Sequence, residues 1–524
     1  MNPFPYLKPA ILPVCVTVLL VHFGLAPQAH AVSPPPDGAY PNFTTAEGQN
    51  ALQSLTGGAG NTALGAYSLF STTTASFNTA IGAGALDLNT GDANTAVGVA
   101  ALLLNTGSQN TAVGVDALGL NTTGEFNAAV GAFALYMNSG GESNSAFGWS
   151  ALTSNTTGDH NTATGIGALY YNTTGVENTA NGANALQSNT IGNDNTAIGV
   201  DALFTNTTGR DNTATGVQAL AVNATGSGNT ASGFQALQSN TTADGNTAVG
   251  YEALQLNTTG IRNTAIGYQV LVNSTGTHNT ATGHSAMSSD TTGSSNAAYG
   301  YNALASNLTG NGDTAIGYGA LDAQMSGDFN IGLGLFAGAG ITTASNVICI
   351  GASGADVNDS CYIGNVWMQP GGSQAVYVNS DGKLGAQVSS RRFKEDIHPM
   401  EEASATLYRL KPVTFRYKRE IDRGGTQQLG LVAEEVAVIN PDLVIRDKEG
   451  KPYSVRYDQV NAMLLNEFLK EHRAFIEEQR KMAEQQNEID ALKAELREQR
   501  FLIQKVSDKM ELSESVTKVA THNP

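Results

Sequence analysis

Asn246-Thr-Ala-Val-Gly-Tyr-Glu-Ala-Leu-Gln-Leu-Asn-Thr-Thr-Gly260 is one copy of a phrase that recurs nineteen times between Thr44 and Gly351, and the next copy starts at Asn263. Its first glycine marks the repeat: Gly48, Gly65, Gly82, Gly98 and onward to Gly334 and Gly351, 17 residues apart except for three steps of 16. A leucine column follows four residues later, from Leu69 and Leu86 to Leu321, with Met287 as its one substitution. A fixed period this short marks a solenoid, in which each copy is one coil and neighbouring coils bury each other's faces.

Asn-Thr-Ala-Ile/Val/Thr-Gly alternates small and branched residues as a short strand does, and Xaa-Ala-Leu-Xaa-Xaa supplies a second apolar segment. Asn-Thr-Thr-Gly then turns the chain, because Asn and Gly tolerate positive φ at little cost. A helix is excluded by the Gly and Asn-Thr pairs that recur every few residues. The expectation is two short strands and two turns per coil, stacked as a parallel β-roll. At about 4.8 Å per stacked strand, nineteen coils make a rod on the order of 90 Å long. Ala and Leu alone fill little volume, so the coil is expected to need partner chains to complete its core.

Asn195-Thr-Ala-Ile-Gly199 followed by Ala202-Leu203 resembles the head repeats of trimeric autotransporter adhesins. That resemblance implies a trimer of left-handed β-rolls and a role in adhesion or surface structure. It names no ligand.

The chain has 524 residues and a net charge of −18, and composition divides it sharply. Of 27 Lys and Arg, only Lys8, Arg210 and Arg262 precede Lys383. The other 24 share residues 383–524 with 24 Asp and Glu, so the negative charge belongs to residues 1–382. A rod that acidic is a poor partner for nucleic acid or anionic membranes. At the N-terminus, Lys8, the apolar run Ala10–Leu25 and Ala29-His30-Ala31 read as a cleaved export signal over residues 1–31, followed by a Pro-rich linker over 32–43. No span long enough to cross a membrane comes after it, so the protein is expected to be secreted or held at the cell surface. Cys349 and Cys361 remain after the signal. Equivalent register would set Cys349 above Tyr362, with the two sulfurs on opposite faces of the strand, which opposes a disulfide.

The shaft is expected over residues 44–364, and residues 365–388 form a connector. Within the connector, Ala375–Gly385 reads as a hairpin turning at Asn379–Gly382. Ser389–Asp458 reads as a small α+β unit: a helix over Glu401–Leu410, strands over Val413–Arg419 and Gln427–Ala433, a helical turn over Glu434–Val438, and a strand pair over Leu443–Asp447 and Tyr453–Tyr457. Residues 459–510 read as one helix. Phe468, Phe475, Met482, Ile489, Leu496 and Ile503 keep a strict seven-residue spacing, and Leu464, Leu492 and Val506 fall in the companion column. That pattern predicts a coiled coil, with residues 511–524 as a frayed tail.

Ser389-Ser-Arg-Arg-Phe-Lys-Glu-Asp-Ile397, Tyr408-Arg-Leu-Lys-Pro-Val-Thr-Phe-Arg-Tyr417 and Leu429-Gly-Leu-Val-Ala-Glu-Glu-Val436 occur in that order. Together with Tyr457 and the long helix, they resemble the intramolecular chaperone domain at the C-termini of phage endosialidases and tail fibres, the S74 peptidase family. The resemblance implies a domain that trimerises, templates the β-structured stalk ahead of it, and then cuts itself off. Carried onto this chain, the family's Ser-Asp-Xaa-Arg-Xaa-Lys motif makes Ser389 the nucleophile, Lys394 the base and Arg392 the motif arginine. Ser390 stands in the place of the family's Asp. The cleavage site implied is Val388–Ser389. On chemistry alone, a serine needs a neighbouring base, and a lysine serves only when desolvation brings its pKa toward neutrality.

Other polar residues carry less. Asp116 and Asp201 share a phase, as an acid and base of a polysaccharide-cleaving solenoid do, but five coils put them roughly 24 Å apart. His160, His278 and His284 lack metal-ligand spacing, and no cofactor-binding motif is found. Asn-Thr-Thr triplets are formal glycosylation sequons that the repeat phase marks as turns. Thr-Xaa-Thr recurs in register at only three coils, too few for an ice-binding array. The sequence therefore predicts a mainly β protein: a parallel β-roll or solenoid shaft of 17-residue coils, then a small α+β chaperone domain ending in a long coiled-coil helix. The expected function is that of an exported homotrimeric fibre that releases its own C-terminal domain. Its expected partners are its own copies and a surface or glycan receptor. A polysaccharide-binding or -cleaving tail-fibre-like protein and an ice-binding solenoid are the alternatives.

Overall fold

The structure is a computed structural model that describes residues 41–366, 376–378, 382–386, 388–422, 424–447 and 449–519. The expected export signal, nearly all of the linker and the hairpin turn at residues 379–381 lie outside those residues. Two compact units divide the chain, Met1–Pro370 and Gly371–Pro524.

In the first unit the repeat is a parallel β-solenoid. Twenty strands of three residues, β1 (Thr45–Glu47) through β20 (Cys361–Ile363), form one sheet. Each pairs in parallel with the next coil at equivalent positions, as in Thr196↔Thr213 and Ala197↔Ala214. The 16-residue steps keep that register, as Ala265↔Ala281 does across one of them, so a missing residue is absorbed in a turn. The central residue of each strand points inward: Ala63, Ala80, Ala197 and Ala248 have no exposed surface.

The second apolar segment departs from the expected strand. Xaa-Ala-Leu is a corner, and its leucines have left-handed backbone, with Leu69, Leu86 and Leu102 each at φ 52°. Such a conformation costs an L residue roughly 1–2 kcal/mol. It is held by the Leu69 N–H donating to Ala85 O of the next coil at 3.0 Å, a contact repeated along the rod, and by complete burial of the leucine side chain.

Asparagine does something other than the turn chemistry expected of it. In Asn246–Gly260 and the residues to Asn263, positive φ falls on Gly250, Glu252, Leu254 and Arg262, not on Asn257 or Gly260. The asparagines instead form two buried ladders. Before the strands, Asn144 N–H donates to Asn127 Oδ1 at 3.0 Å, and its Nδ2 to Gly158 O at 2.8 Å. At the turns, Asn155 Nδ2 donates to Asn138 Oδ1 at 2.8 Å, and Asn172 Nδ2 to Asn155 Oδ1 at 2.8 Å. Gly260 is small because of crowding: a Cβ there would lie 2.3 Å from Gly276 O and 2.5 Å from Asn257 Oδ1. The core therefore closes inside one chain, with amides filling the volume that Ala and Leu leave, and the expected need for partner chains inside the coil falls away.

Two ladder positions hold acids. Asp290 takes a turn-asparagine place, accepting from Ser274 Oγ at 2.5 Å and Asn307 Nδ2 at 3.0 Å. Asp313 takes a pre-strand place, accepting from Gln324 Nε2 at 2.6 Å and Asn330 N–H at 2.7 Å. Burial pushes both carboxyls up to about 7, against the opposing pull of those donors. At the short last coil, Asp356 accepts from Thr342 Oγ1 and from the N–H groups of Thr342, Thr343 and Ala344. Those bonds, the Thr342 hydroxyl foremost, hold it well below the usual carboxylate range. Cys349 pairs with Tyr362 as its register requires, and both cysteines are free thiols, Cys349 buried and Cys361 exposed.

The second unit is small strand segments and one long helix. β21 (Val376–Val378) and β22 (Leu384–Ala386) are antiparallel. β23 (Val413–Phe415) pairs with β24 (Gln428–Gly430), and β25 (Val444–Arg446) with β26 (Pro452–Val455). The expected helix over Glu401–Leu410 is a 3-10 helix, Glu401–Arg409. α1 (Ala433–Ile439) ends at Asn440, where the next residue is Pro441. α2 runs Tyr457–Val519, past the end expected near Met510, because neither Gly nor Pro occurs before Pro524 to stop it. The core here is slight: Val436, Leu443, Val444, Val455, Val460 and Met463.

Candidate functional site

Ser389 and Lys394 would be far apart in an extended chain, since each residue advances about 3.3 Å. One 3-10 turn, Arg391–Phe393, brings them together. Ser390 enters it with extended backbone, Phe393 N–H donates to Ser390 O at 3.0 Å, and Lys394 N–H to Arg391 O at 3.1 Å. Lys394 Nζ then donates to Ser389 Oγ at 3.0 Å. Its contact is with Ser389, while Ser390 spends its carbonyl on the turn.

Both side chains are exposed, as is Val388 on the other side of the peptide bond. Arg392, the motif arginine, lies over the Phe393 ring at 4.6 Å from its centre, so its cation is engaged by that ring. The pair has the reach for proton transfer from hydroxyl to amine. A neutral amine further needs desolvation, and among the described residues the Lys394 side chain stands exposed.

A second polar cluster fastens the 3-10 helix Glu401–Arg409 to the first turns of α2. Ser404 is buried, donates to Glu467 Oε1 at 2.5 Å and accepts from Asn466 Nδ2 at 2.6 Å. Lys470 bridges Glu402 and Glu467 at 3.0 Å each. Glu467 is held below its ordinary range, chiefly by the Ser404 bond, and Lys470 is raised, chiefly by Glu467. Hydrogen bonding to Glu467 pushes the Tyr408 hydroxyl up to about 12. These partners lie about sixty residues apart in sequence, and no local pattern announces them. The cluster is a clamp, since Ser404 has no open side for a substrate.

An open cleft of 690 Å³ lies between the β21–β22 hairpin and the β25–β26 pair, lined by Tyr377, Leu384, Ile445 and Tyr457 among others. It touches neither Ser389 nor Lys394.

The remaining sequence candidates stay apart. Asp116 and Asp201 follow strands five coils apart in the stack. Burial raises Asp116 to about 6, while Asp201 accepts from Asn184 Nδ2 at 3.1 Å. His278 contacts Arg262 and Thr277, and His284 is stacked between Tyr268 and Tyr301. Among the described residues, no group of three or more His, Cys, Asp or Glu is placed to hold a metal ion. Likewise among those residues, no helix is long and apolar enough to cross a membrane. The sequon asparagines Asn121, Asn155 and Asn257 are fully buried in the turn ladder.

Comparison with known families adds one match, which begins at the serine just described. The sequence model for the chaperone of endosialidase, Peptidase_S74, matches residues 389–445. No curated protein matches the chain, and neither does any solved structure. The molecule is therefore a β-solenoid shaft of about nineteen turns followed by an S74 chaperone domain, an arrangement that fits a tail-fibre-like structural protein.

Proposed function

We propose that this chain is an exported homotrimeric fibre whose C-terminal domain assembles and templates the solenoid, then releases itself by one cut between Val388 and Ser389. The observation that carries the reading is the 3.0 Å contact of Lys394 Nζ with Ser389 Oγ at the first residue of the family match. In this scheme Ser389 Oγ attacks the Val388 carbonyl carbon and Lys394 accepts the hydroxyl proton. The Val388–Ser389 C–N bond breaks, the proton passes to the departing amine, and the resulting ester is hydrolysed by water. Because both side chains are exposed in one chain, the desolvation that the base needs has to come from neighbouring copies. The cut therefore waits for assembly.

The heptad column of α2 supports the trimer, since Phe468, Phe475, Met482, Ile489, Leu496 and Ile503 are all exposed along a helix of 63 residues. The repeats resemble adhesin heads, which supports adhesion through the shaft to a surface or glycan receptor.

The test is the mass and N-terminal sequence of the mature protein. A released fragment should begin Ser389-Ser390-Arg391. Ser389→Ala and Lys394→Ala should each give a full-length trimer, whereas Ser390→Ala should cleave nearly as the parent does. A parent chain that trimerises and stays whole overturns the self-cleavage. Cleavage lost in Ser390→Ala and kept in Ser389→Ala overturns the choice of serine.

A further inference from the structure

The residue after each repeat glycine stands on the outside of the solenoid, and from Phe234 to Tyr318 that column is aromatic. Phe234, Tyr251, Tyr268, His284, Tyr301 and Tyr318 follow one another on six consecutive coils. In-register parallel coils set equal positions one above another at the strand spacing, so a ring repeated at one phase lies on its own counterpart. The six rings stack at 4.8–5.3 Å between centres, with planes within 21° of parallel. Tyr67–Phe70, Phe133–Tyr136 and Tyr170–Tyr171, by contrast, meet edge to face. Within the column the tyrosines fall into two adjacent pairs, Tyr251 on Tyr268 at 5.1 Å and Tyr301 on Tyr318 at 4.8 Å. His284 separates the pairs, and Phe234 and Phe336 lie beyond them. All four tyrosines are 41–49 % exposed. The Tyr251 hydroxyl is hydrogen-bonded to Glu252, which also accepts from Gln269 Nε2 at 2.8 Å.

We infer that Tyr251 with Tyr268, and Tyr301 with Tyr318, are sites of oxidative cross-linking, at which hydrogen peroxide and a haem peroxidase join each pair as a dityrosine within one chain. Each phenol gives up one electron and its hydroxyl proton, and Glu252 is placed to receive the proton of Tyr251. The two phenoxyl radicals couple, forming one carbon–carbon bond between ring positions next to the oxygens. Each ring then moves the displaced hydrogen back to its oxygen and regains aromaticity. The peroxide takes up the two electrons and two protons, its O–O bond breaks, and two waters leave. The geometry suits the coupling, because the ring centres of a joined pair lie near the separation that the stacked rings already keep. Exposure lets a small oxidant reach the ring edges, and a radical formed there has its partner in contact rather than at the end of a diffusive search. The consequence is a staple. The shaft's strands are three residues long, and both of its cysteines are free thiols, so adjacent coils are held without a disulfide. Each link would tie residues one full coil of 17 apart and so restrict the unfolded chain, as a disulfide does. The inference needs only the shaft and stands apart from the self-cleavage proposed above.

The experiment treats the full chain with hydrogen peroxide and a haem peroxidase, then maps its peptides by mass spectrometry. Two links are expected, Tyr251–Tyr268 and Tyr301–Tyr318, each lighter by two hydrogens than its separate peptides. Each should be at least fivefold more abundant than a link between any other two of the 17 tyrosines. The linked chains should still run singly on a denaturing gel. Tyr268→Phe with Tyr318→Phe keeps six stacked rings and should lose both links, with melting by circular dichroism showing the shaft folded. A chain unfolded in denaturant before treatment should scatter its links among many tyrosines. Folded chains whose links scatter in the same way, or whose two pairs stay unjoined, overturn the inference. Links at these tyrosines that join separate chains on the gel overturn the assignment within one chain. None of these results alters the reading of Ser389 and Lys394.

Discussion

The shaft and the C-terminal unit use apolar residues in opposite ways. In the shaft, each leucine of the repeat column and each central strand alanine is covered by the coils above and below, so a single chain supplies its own core. In the C-terminal unit, six residues form the buried cluster, two of them (Val460 and Met463) from the first turns of the long helix, while its large apolar residues from Leu464 onward stand in solvent. The first region is saturated inside. The second has more apolar surface than it can bury. The buried core is concentrated in the solenoid, and the long helix leaves its apolar column uncovered within one chain.

That contrast is broken most severely by separating the two. A chain ending near Gly385 keeps every coil but loses the assembling unit. Twenty in-register strands must then find one alignment unaided, and a slip of one residue turns the buried face outward. The expected outcome is aggregated or misassembled shaft, where the full chain gives a soluble rod, measured as the yield of soluble oligomer by size exclusion with light scattering. Equal yields from the two chains remove the chaperone role from residues 389–506.

A core truncation sharpens the contrast at the level of single residues. Leu169→Ala removes a fully buried corner side chain, at a cost of about 2–5 kcal/mol. Asn155→Ala takes the donor from Asn138 Oδ1 and the acceptor from Asn172 Nδ2, at a cost of about 1–3 kcal/mol. Phe475→Ala, on the exposed seam of α2, should leave thermal melting of the shaft unchanged while weakening self-association. Melting followed by circular dichroism, beside the oligomer mass, separates the two effects. An Asn155→Ala shaft as stable as its parent would show that the amide ladder is only filler.

The smallest expected effect is the response to pH. Asp290 and Asp313 are pushed up to about 7 by burial, whereas a carboxyl in the unfolded chain titrates near 4. Between those values the folded shaft binds more protons than the unfolded chain. Their contribution is therefore fully present below about pH 4 and lost as pH rises through about 7. Asp356 has the opposite sign: its depressed carboxyl contributes above about pH 4 and loses that contribution in acid. The melting temperature of the parent should fall by a few degrees from pH 5 to 8. Asp290→Asn with Asp313→Asn replaces both titrating carboxyls by amides and should flatten that slope. A slope unchanged in the double variant would locate the pH response elsewhere.

Much of this was legible in the chain itself. The glycine and leucine columns specified a parallel solenoid and its register closely enough to place Cys349 beside Tyr362. The string from Ser389 to Lys394 pointed to a side-chain pair that the turn at Arg391–Phe393 brings into contact. Periodicity carries such information because in a solenoid a residue's neighbour is its own counterpart one repeat away. What the phrase could not disclose was which residues take which task inside the coil. The phrase reads as Asn and Gly at the turn and Leu in a strand, yet Leu254 takes the left-handed backbone and Asn257 goes to the interior. That choice is made only once the coils stack, because the next coil supplies both the carbonyl that holds the leucine and the amide that pairs with the asparagine. The Ser404–Glu467 clamp was hidden for the related reason that its partners meet only through the fold. A sequence repeats its own spacing, and it is tertiary packing that decides which polar groups have partners.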